Sequence, residues 1–244
     1  PIYGPDDVWL HENIREVEVL FGWLGDDFIS DATSLSWLQL QGAGPEEALK
    51  MFRERPDVII TNASGVHAVP IAEHFLSMIF AFARKLPDFY RQQLSKDWNR
   101  GPADSMTEVA GKHALVVGYG AIGRVFAEKA IALGMSVTGI KRTGGAGTDS
   151  DIQVTSPDAL LDLLPAADYV VNILPYTDDS DRMFGADEFA AMKSTAFFFN
   201  AGRGKTVDES AMVHALQSGG IAGAGLDVFE IERLPEDSPL WEME

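Results

Sequence analysis

The stretch Leu115-Val116-Val117-Gly118-Tyr119-Gly120-Ala121-Ile122-Gly123-Arg124-Val125-Phe126 runs from a short apolar strand through a glycine turn into a helix. No other part of the chain constrains the fold as tightly. Gly118 permits a sharp turn off the strand. Gly120 lacks the Cβ that would hold a pyrophosphate away from backbone N–H groups, and Gly123 lets the helix pack close on the sheet. The first turn of that helix, with Ala121 and Ile122, directs its positive end at the phosphates. Glycines at this spacing recur by accident in a chain that has 23 of them, so the surrounding pattern has to carry the assignment.

That pattern is regular. Strands are predicted at Ala114–Val117, Val137–Ile140, Tyr169–Leu174, Ala196–Asn200 and Ala222–Val228, alternating with helices at Val125–Leu133, Ala159–Leu164, near Phe189–Met192 and Glu209–Gln217. Alternation at this rhythm predicts a doubly wound parallel sheet, and strands such as Tyr169-Val170-Val171-Asn172-Ile173-Leu174 are apolar on both faces, as strands covered on both sides are. The earlier residues form a smaller α/β unit, with strands around Val17–Gly22, Leu35–Gln41 and Asp57–Asn62, and with Pro45-Glu46-Glu47 opening a helix. From Val69 to about Leu94 a single helix is predicted, apolar nearly all round and so buried on more than one side, which points to a partner subunit. The polar stretch Ser95–Met106 reads as a linker. The expected organisation is therefore α/β with two domains, 1–100 and 101–244.

Composition removes several function classes. With 37 acidic against 19 basic residues the formal charge is -18, which repels nucleic acid and anionic membranes. Such an acidic balance suits a salt-adapted surface and equally an ordinary protein of acidic pI. The longest apolar region, Ile71–Ala83, is interrupted by Glu73 and His74 and falls short of the about 18 apolar residues of a membrane span. No leader opens the sequence and cysteine is absent, so no disulfide or thiolate chemistry is expected, and the expected compartment is the cytoplasm.

Five motifs in order, Ala72-Glu73-His74, Gly118–Gly123, Leu174-Pro175-Tyr176-Thr177, Asn200-Ala201-Gly202-Arg203-Gly204 with Val207-Asp208, and Leu226-Asp227-Val228-Phe229-Glu230-Ile231-Glu232, make the chain resemble the D-isomer-specific 2-hydroxyacid dehydrogenase family. The resemblance implies two Rossmann-like domains with the active site in a cleft between them, and a homodimer through the coenzyme domain and helix 70–94. It also implies reversible hydride transfer between a nicotinamide cofactor and a small 2-oxo acid. It gives Arg203 as the residue that grips substrate carboxylate and ketone, which suits a planar guanidinium fork beyond a strand end. The glycines bracketing Arg203 suggest a close approach to the backbone. Glu232 matches the glutamate that raises the proton affinity of the catalytic histidine, although Arg233 stands where the family usually has proline. Ser64, Gly65 and Val66 match the loop whose N–H groups receive the substrate carboxylate, with Gly42-Ala43-Gly44 beside it. Pro175, Thr177, Ala201 and Asp227 match cofactor contacts, Asp227 near the nicotinamide carboxamide.

The family's histidine follows the segment matching Pro239-Leu240-Trp241 after one more strand, and none of His11, His67, His74, His113 or His214 stands there. The expectation is that these residues are an internal piece of a longer dehydrogenase, truncated at both ends. At the end of the second strand, where NAD enzymes place an acid for the ribose hydroxyls, the chain has Lys141, Arg142 and Thr143, which would attract a 2′-phosphate. NADP is therefore expected over NAD. No metal is called for. Glyoxylate, hydroxypyruvate or a short aliphatic 2-oxo acid is the expected substrate. The alternatives are a 3-phosphoglycerate dehydrogenase, for which Lys50, Arg53 and Arg55 are the available cations, and a dinucleotide-sensing corepressor-like binding protein.

Overall fold

The computed structural model describes residues 8–23, 25–142, 147–149 and 152–243. The chain divides into two compact units, Pro1–His67 and Ala68–Glu244. The first contains α1 (Val8–Asn13), β1 (Val19–Phe21), α2 (Asp26–Ile29), β2 (Trp37–Gln39), α3 (Glu46–Met51) and β3 (Ile59–Thr61). Its three strands are parallel in the order β1-β2-β3, with Val19, Trp37 and Ile59 in register. Because successive side chains alternate between faces, Leu38 enters a core with Leu10, Ile14, Leu35, Phe52 and Val58, and Val19, Phe21, Trp37 and Ile59 are exposed on the opposite face.

The second unit contains α4 (Ala68–Ala83), α5 (Leu86–Ser95), β4 (His113–Val117), α6 (Ala121–Ala132), β5 (Ser136–Ile140), β6 (Gly147–Asp149), β7 (Ile152–Thr155), α7 (Leu160–Leu163), β8 (Tyr169–Asn172), α8 (Ala186–Ala191), β9 (Phe197–Asn200), α9 (Glu209–Gln217) and β10 (Gly223–Leu226). The sheet order is β10-β9-β8-β4-β5-β7-β6, parallel except for β6, which runs antiparallel to β7. The doubly wound parallel sheet expected from the sequence is present, with one antiparallel strand, β6, added at its edge. Chain progress reverses between β4 and β8, so the glycine turn that leaves β4 lies at the switch point where open α/β sheets bind ligands. Alternate residues of the central strands feed two cores. Ala114, Val116, Tyr169, Val171 and Phe199 pack under α4 and α6, while Leu115, Val117, Val170 and Phe198 pack with residues of α7, α8 and α9.

Two further expectations change. The predicted helix Val69–Leu94 is two helices, broken where Lys85 adopts φ 54° and Pro87 follows. A proline there removes an N–H and its ring would clash with the carbonyl four residues back. The expected boundary at residue 100 moves to residue 67, because α4 buries Ala72, Phe75, Leu76 and Ile79 within the second unit and sets Phe75 edge-on to Phe126 of α6 at 6.0 Å. Among the described residues no helix is long and apolar enough to cross a membrane.

Candidate active site

The glycine turn has the geometry that its residues dictate. Gly118 adopts φ 101°, and a Cβ there would lie 2.7 Å from the Ile173 carbonyl. A Cβ on Gly123 would lie 2.9 Å from Val116 Cγ1, so α6 rests on β4 at a distance that only glycine permits. At Gly120 the nearest atom to such a Cβ is 3.9 Å away, which leaves the turn open there. Tyr119 points inward, its ring filling the space above Gly139 of β5. Arg124 N donates to Gly120 O at 3.0 Å. The N–H groups of Ala121, Ile122 and Gly123 open the helix, where an α-helix has no acceptor four residues back. An open turn under a helix N-terminus fits a dinucleotide pyrophosphate.

Beyond β5, Lys141 N donates to Thr155 O at 2.9 Å, and the exposed Arg142 guanidinium donates to Asp179 Oδ2 at 3.2 Å. Thr143 lies outside the described residues. The segment after β8 is a built turn. Buried Ser180 donates through Oγ to Pro175 O at 2.7 Å and accepts from Thr177 N at 2.8 Å. The carboxylates around that turn push the Tyr176 phenol up, through the charge of Asp181 first, then burial and a hydrogen bond to Asp181.

Arg203 sits past the carboxyl end of β9, half-buried, with Nη1 donating to Gly202 O at 2.8 Å. Its turn is held by a buried polar cluster. Asn172 Nδ2 donates to Thr206 Oγ1 at 2.8 Å and to Asn200 Oδ1 at 3.3 Å. Asn200 Oδ1 also accepts from Gly202 N at 3.0 Å, while Asn200 Nδ2 and Thr206 Oγ1 both donate to Arg203 O, at 3.2 and 2.7 Å. The glycines bracketing Arg203 do mark a close approach to the backbone. A Cβ on Gly202 would meet the Leu174 backbone and one on Gly204 would strike the Phe229 carbonyl, so what approaches them is the chain itself. Ala201 N donates to Asn172 O at 3.3 Å, and Asp208 caps α9 by accepting from Ala211 N at 3.0 Å.

After β10, Asp227 N donates to Asn200 O at 2.9 Å, and its carboxylate lies 3.6 Å from Nε2 of His74 on α4. His74 was named in the Ala72-Glu73-His74 motif and set aside as the catalytic histidine, and nothing local in sequence links it to Asp227. Glu232 is exposed and accepts from Phe229 N at 3.3 Å. Its neighbour Glu230 is fixed by Arg182 at 3.0 Å. These residues all belong to the second unit.

The substrate-loop residues belong to the first unit. Ser64, Gly65 and Val66 are exposed past β3, Gly65 at φ 90°. Asn62 Nδ2 donates to Ala43 O at 2.8 Å and Ala63 N to Gly42 O at 3.0 Å, so this loop and Gly42-Ala43-Gly44 are tied side by side. Ser64 N donates to Asn62 Oδ1 at 3.3 Å. Arg55 uses its guanidinium on Ala32 O, Leu35 O and Asp57.

Residues 76–244 match the family model for the D-isomer specific 2-hydroxyacid dehydrogenase NAD-binding domain. A curated relative, glyoxylate/hydroxypyruvate reductase B of Citrobacter koseri, is 38% identical over 186 residues, which is 75% of this chain and 57% of the relative. The chain thus spans little more than half the length of such relatives. Among solved structures, a D-isomer specific 2-hydroxyacid dehydrogenase from Xanthobacter autotrophicus in complex with NADPH superposes with a TM-score of 0.82 at 31% identity, over 94% of this chain and 72% of that one. An NADPH-dependent glyoxylate/hydroxypyruvate reductase from Sinorhizobium meliloti in complex with NADP and sulfate gives 0.85 at 26% identity, over 97% and 76%.

Proposed function

Since the chain belongs to the D-isomer specific 2-hydroxyacid dehydrogenase family, we propose that it serves an NADPH-dependent reductase of small 2-oxo acids, of the glyoxylate or hydroxypyruvate type. The observation that carries this reading is the Arg203 turn, held at the carboxyl end of β9 by the buried hydrogen bonds of Asn172, Asn200 and Thr206. Fixing a guanidinium there lets its fork hold a carboxylate and an adjacent ketone oxygen together, which orients the carbonyl and favours the charge that develops on its oxygen. Ser64, Gly65 and Val66 form the loop of the first unit that the family resemblance gives to a substrate carboxylate. Glu232 is the carboxylate that would raise the proton affinity of a histidine, none of those named above, that protonates the incipient alkoxide. Gly118, Gly120, Ala121, Ile122 and Gly123 cradle the pyrophosphate, Pro175, Thr177 and Ala201 border the dinucleotide, and Asp227 holds the carboxamide. When bound, the nicotinamide supplies the hydride.

Lys141 and Arg142, standing where an NAD enzyme carries an acid, support NADPH, as do the NADP complexes of the two structural neighbours. A 3-phosphoglycerate substrate is less well served, because Arg55 is already engaged by Ala32, Leu35 and Asp57. The exposed Leu86, Tyr90 and Leu94 recur along one side of α5 and support a homodimer through this region.

Loss of NADPH absorbance with a panel of glyoxylate, hydroxypyruvate and short aliphatic 2-oxo acids tests the activity. Arg203→Ala should lower kcat/KM by about a hundredfold or more with the NADPH Kd nearly intact. NADPH binding without turnover of any acid by the full-length protein would instead favour a dinucleotide-sensing binding protein.

A further inference from the structure

Arg142 is met by a carboxylate that the chain itself supplies. Its Nη1 donates to Asp179 Oδ2 at 3.2 Å, with the two side chains 65% and 77% exposed. Asp179 is carried on a rigid support. Its neighbour Ser180 is buried and bonds both Pro175 O and Thr177 N, and Ser180 N and Asp181 N both donate to Thr177 O at 3.0 Å. Arg182, the nearest cation in sequence, is committed elsewhere, to Glu230 at 3.0 Å and Asp208 at 3.9 Å. Asp179 therefore faces Arg142, at the end of β5, from the opposite side of the switch-point crevice between β4 and β8.

We propose that Asp179 is a specificity-determining residue that competes with the 2′-phosphate of NADPH for Arg142 and so restrains the preference for NADPH over NADH. The proposal rests on Lys141 and Arg142 being the 2′-phosphate site. A phosphomonoester near Arg142 must displace the carboxylate or lie beside it, and like charges in contact oppose both arrangements. With NADH the same carboxylate has the opposite effect. It can accept a hydrogen bond from the ribose 2′-hydroxyl, which is what the acid at the end of the second strand does in NAD enzymes, and which Lys141 and Arg142 cannot do. One residue thus weakens one cofactor and assists the other.

The test is a binding cycle with wild type, Asp179→Asn, Arg142→Ala and the double variant, each titrated with NADPH and NADH and with 2′,5′-ADP against 5′-AMP at low and physiological salt. Asp179 is exposed, so the asparagine variant is expected to fold as the wild type does. Asp179→Asn should raise the ratio of the NADH to the NADPH Kd about fivefold at low salt, the scale of an exposed ion pair, and raise the 5′-AMP to 2′,5′-ADP ratio in parallel. On the Arg142→Ala background the gain should shrink, because the part that comes from competition for the guanidinium is lost while the carboxylate's direct effects on the two cofactors remain. If Arg142→Ala weakens NADPH but Asp179→Asn leaves the ratio unchanged or lowers it, the competition is overturned while the phosphate site stands. If Arg142→Ala leaves the ratio unchanged, the phosphate-site reading fails and takes this proposal with it.

Discussion

Thr206 shows how much of the site depends on a residue that touches no ligand. Its hydroxyl accepts from Asn172 and donates to Arg203 O, at 2.8 and 2.7 Å, with the side chain fully buried. Thr206→Val keeps the shape and removes both bonds, leaving Asn172 Nδ2 with only the longer contact to Asn200. Stability should fall by about 1–3 kcal/mol, the cost of a buried polar group left unsatisfied. kcat/KM should fall further than that loss of folded protein accounts for, since the Arg203 turn loosens. Chemical denaturation alongside steady-state kinetics measures both, and an unchanged kcat/KM in folded Thr206→Val would show that the turn holds its form without the cluster. The placement of Arg203 in a loop just past a strand was legible in the sequence. Its supports were not legible. Asn172 and Asn200 sit in strands that read as apolar, and their partnership joins positions distant in the chain. The close approach at the bracketing glycines was readable, but not that the protein's own chain makes it, since such a pattern does not say whether ligand or protein approaches.

At the scale of elements, α4 decides where one unit ends and the next begins. Its helical character was readable. Its allegiance was not, because an apolar helix does not say which sheet it covers. Phe75 and Ile79 are fully buried within the second unit, and Lys129 of α6 reaches Glu73 of α4 at 3.0 Å. A fragment of residues 68–244 should therefore unfold in one cooperative transition and bind NADPH, whereas 101–244, which bares the face of α6 under α4, should be poorly soluble or lack a transition. Phe75→Ala tests the same contact within the intact chain and should cost about 3–5 kcal/mol. Equal behaviour of the two fragments would put α4 outside the core of this unit. The β6–β7 hairpin escaped notice for a different reason: strands of three and four residues are too short for alternation to register, and β6 begins on a glycine. The doubly wound order, in contrast, followed from the strand and helix rhythm together with the position of the glycine turn.

For the whole molecule the dominant quantity is the formal charge of -18, and its effect has to be separated from two local groups. At the amino end of the sheet, Asp168 accepts from His113 N and Lys193, each at 2.9 Å. Burial pushes this carboxyl up, but those bonds and the lysine charge outweigh it and hold it below the usual carboxylate value, so its contribution is lost as the pH falls below that value. Burial lowers the His113 imidazole against the smaller opposing effect of Asp168. The unfolded chain then takes the proton first, and stability declines as the pH drops through the ordinary imidazole value of 6.5. His113→Gln should accordingly lose less stability than the wild type between pH 7 and about 5.5, where carboxylates have barely begun to titrate. A parallel decline in both would assign the loss to other groups. Salt isolates the global term at fixed pH. Raising it from about 0.01 to 1 M shortens the screening length from about 30 to about 3 Å, which removes repulsion between separated carboxylates while leaving a contact such as Asp168–Lys193 largely intact. Tm at pH 7 should therefore rise with sodium chloride, most steeply at the low end. A continued rise above physiological salt, matched by rising activity, would mark a salt-adapted surface. A flat or falling curve would mean that the acidic residues lie too far apart, or too close to cations, for their net charge to strain the fold.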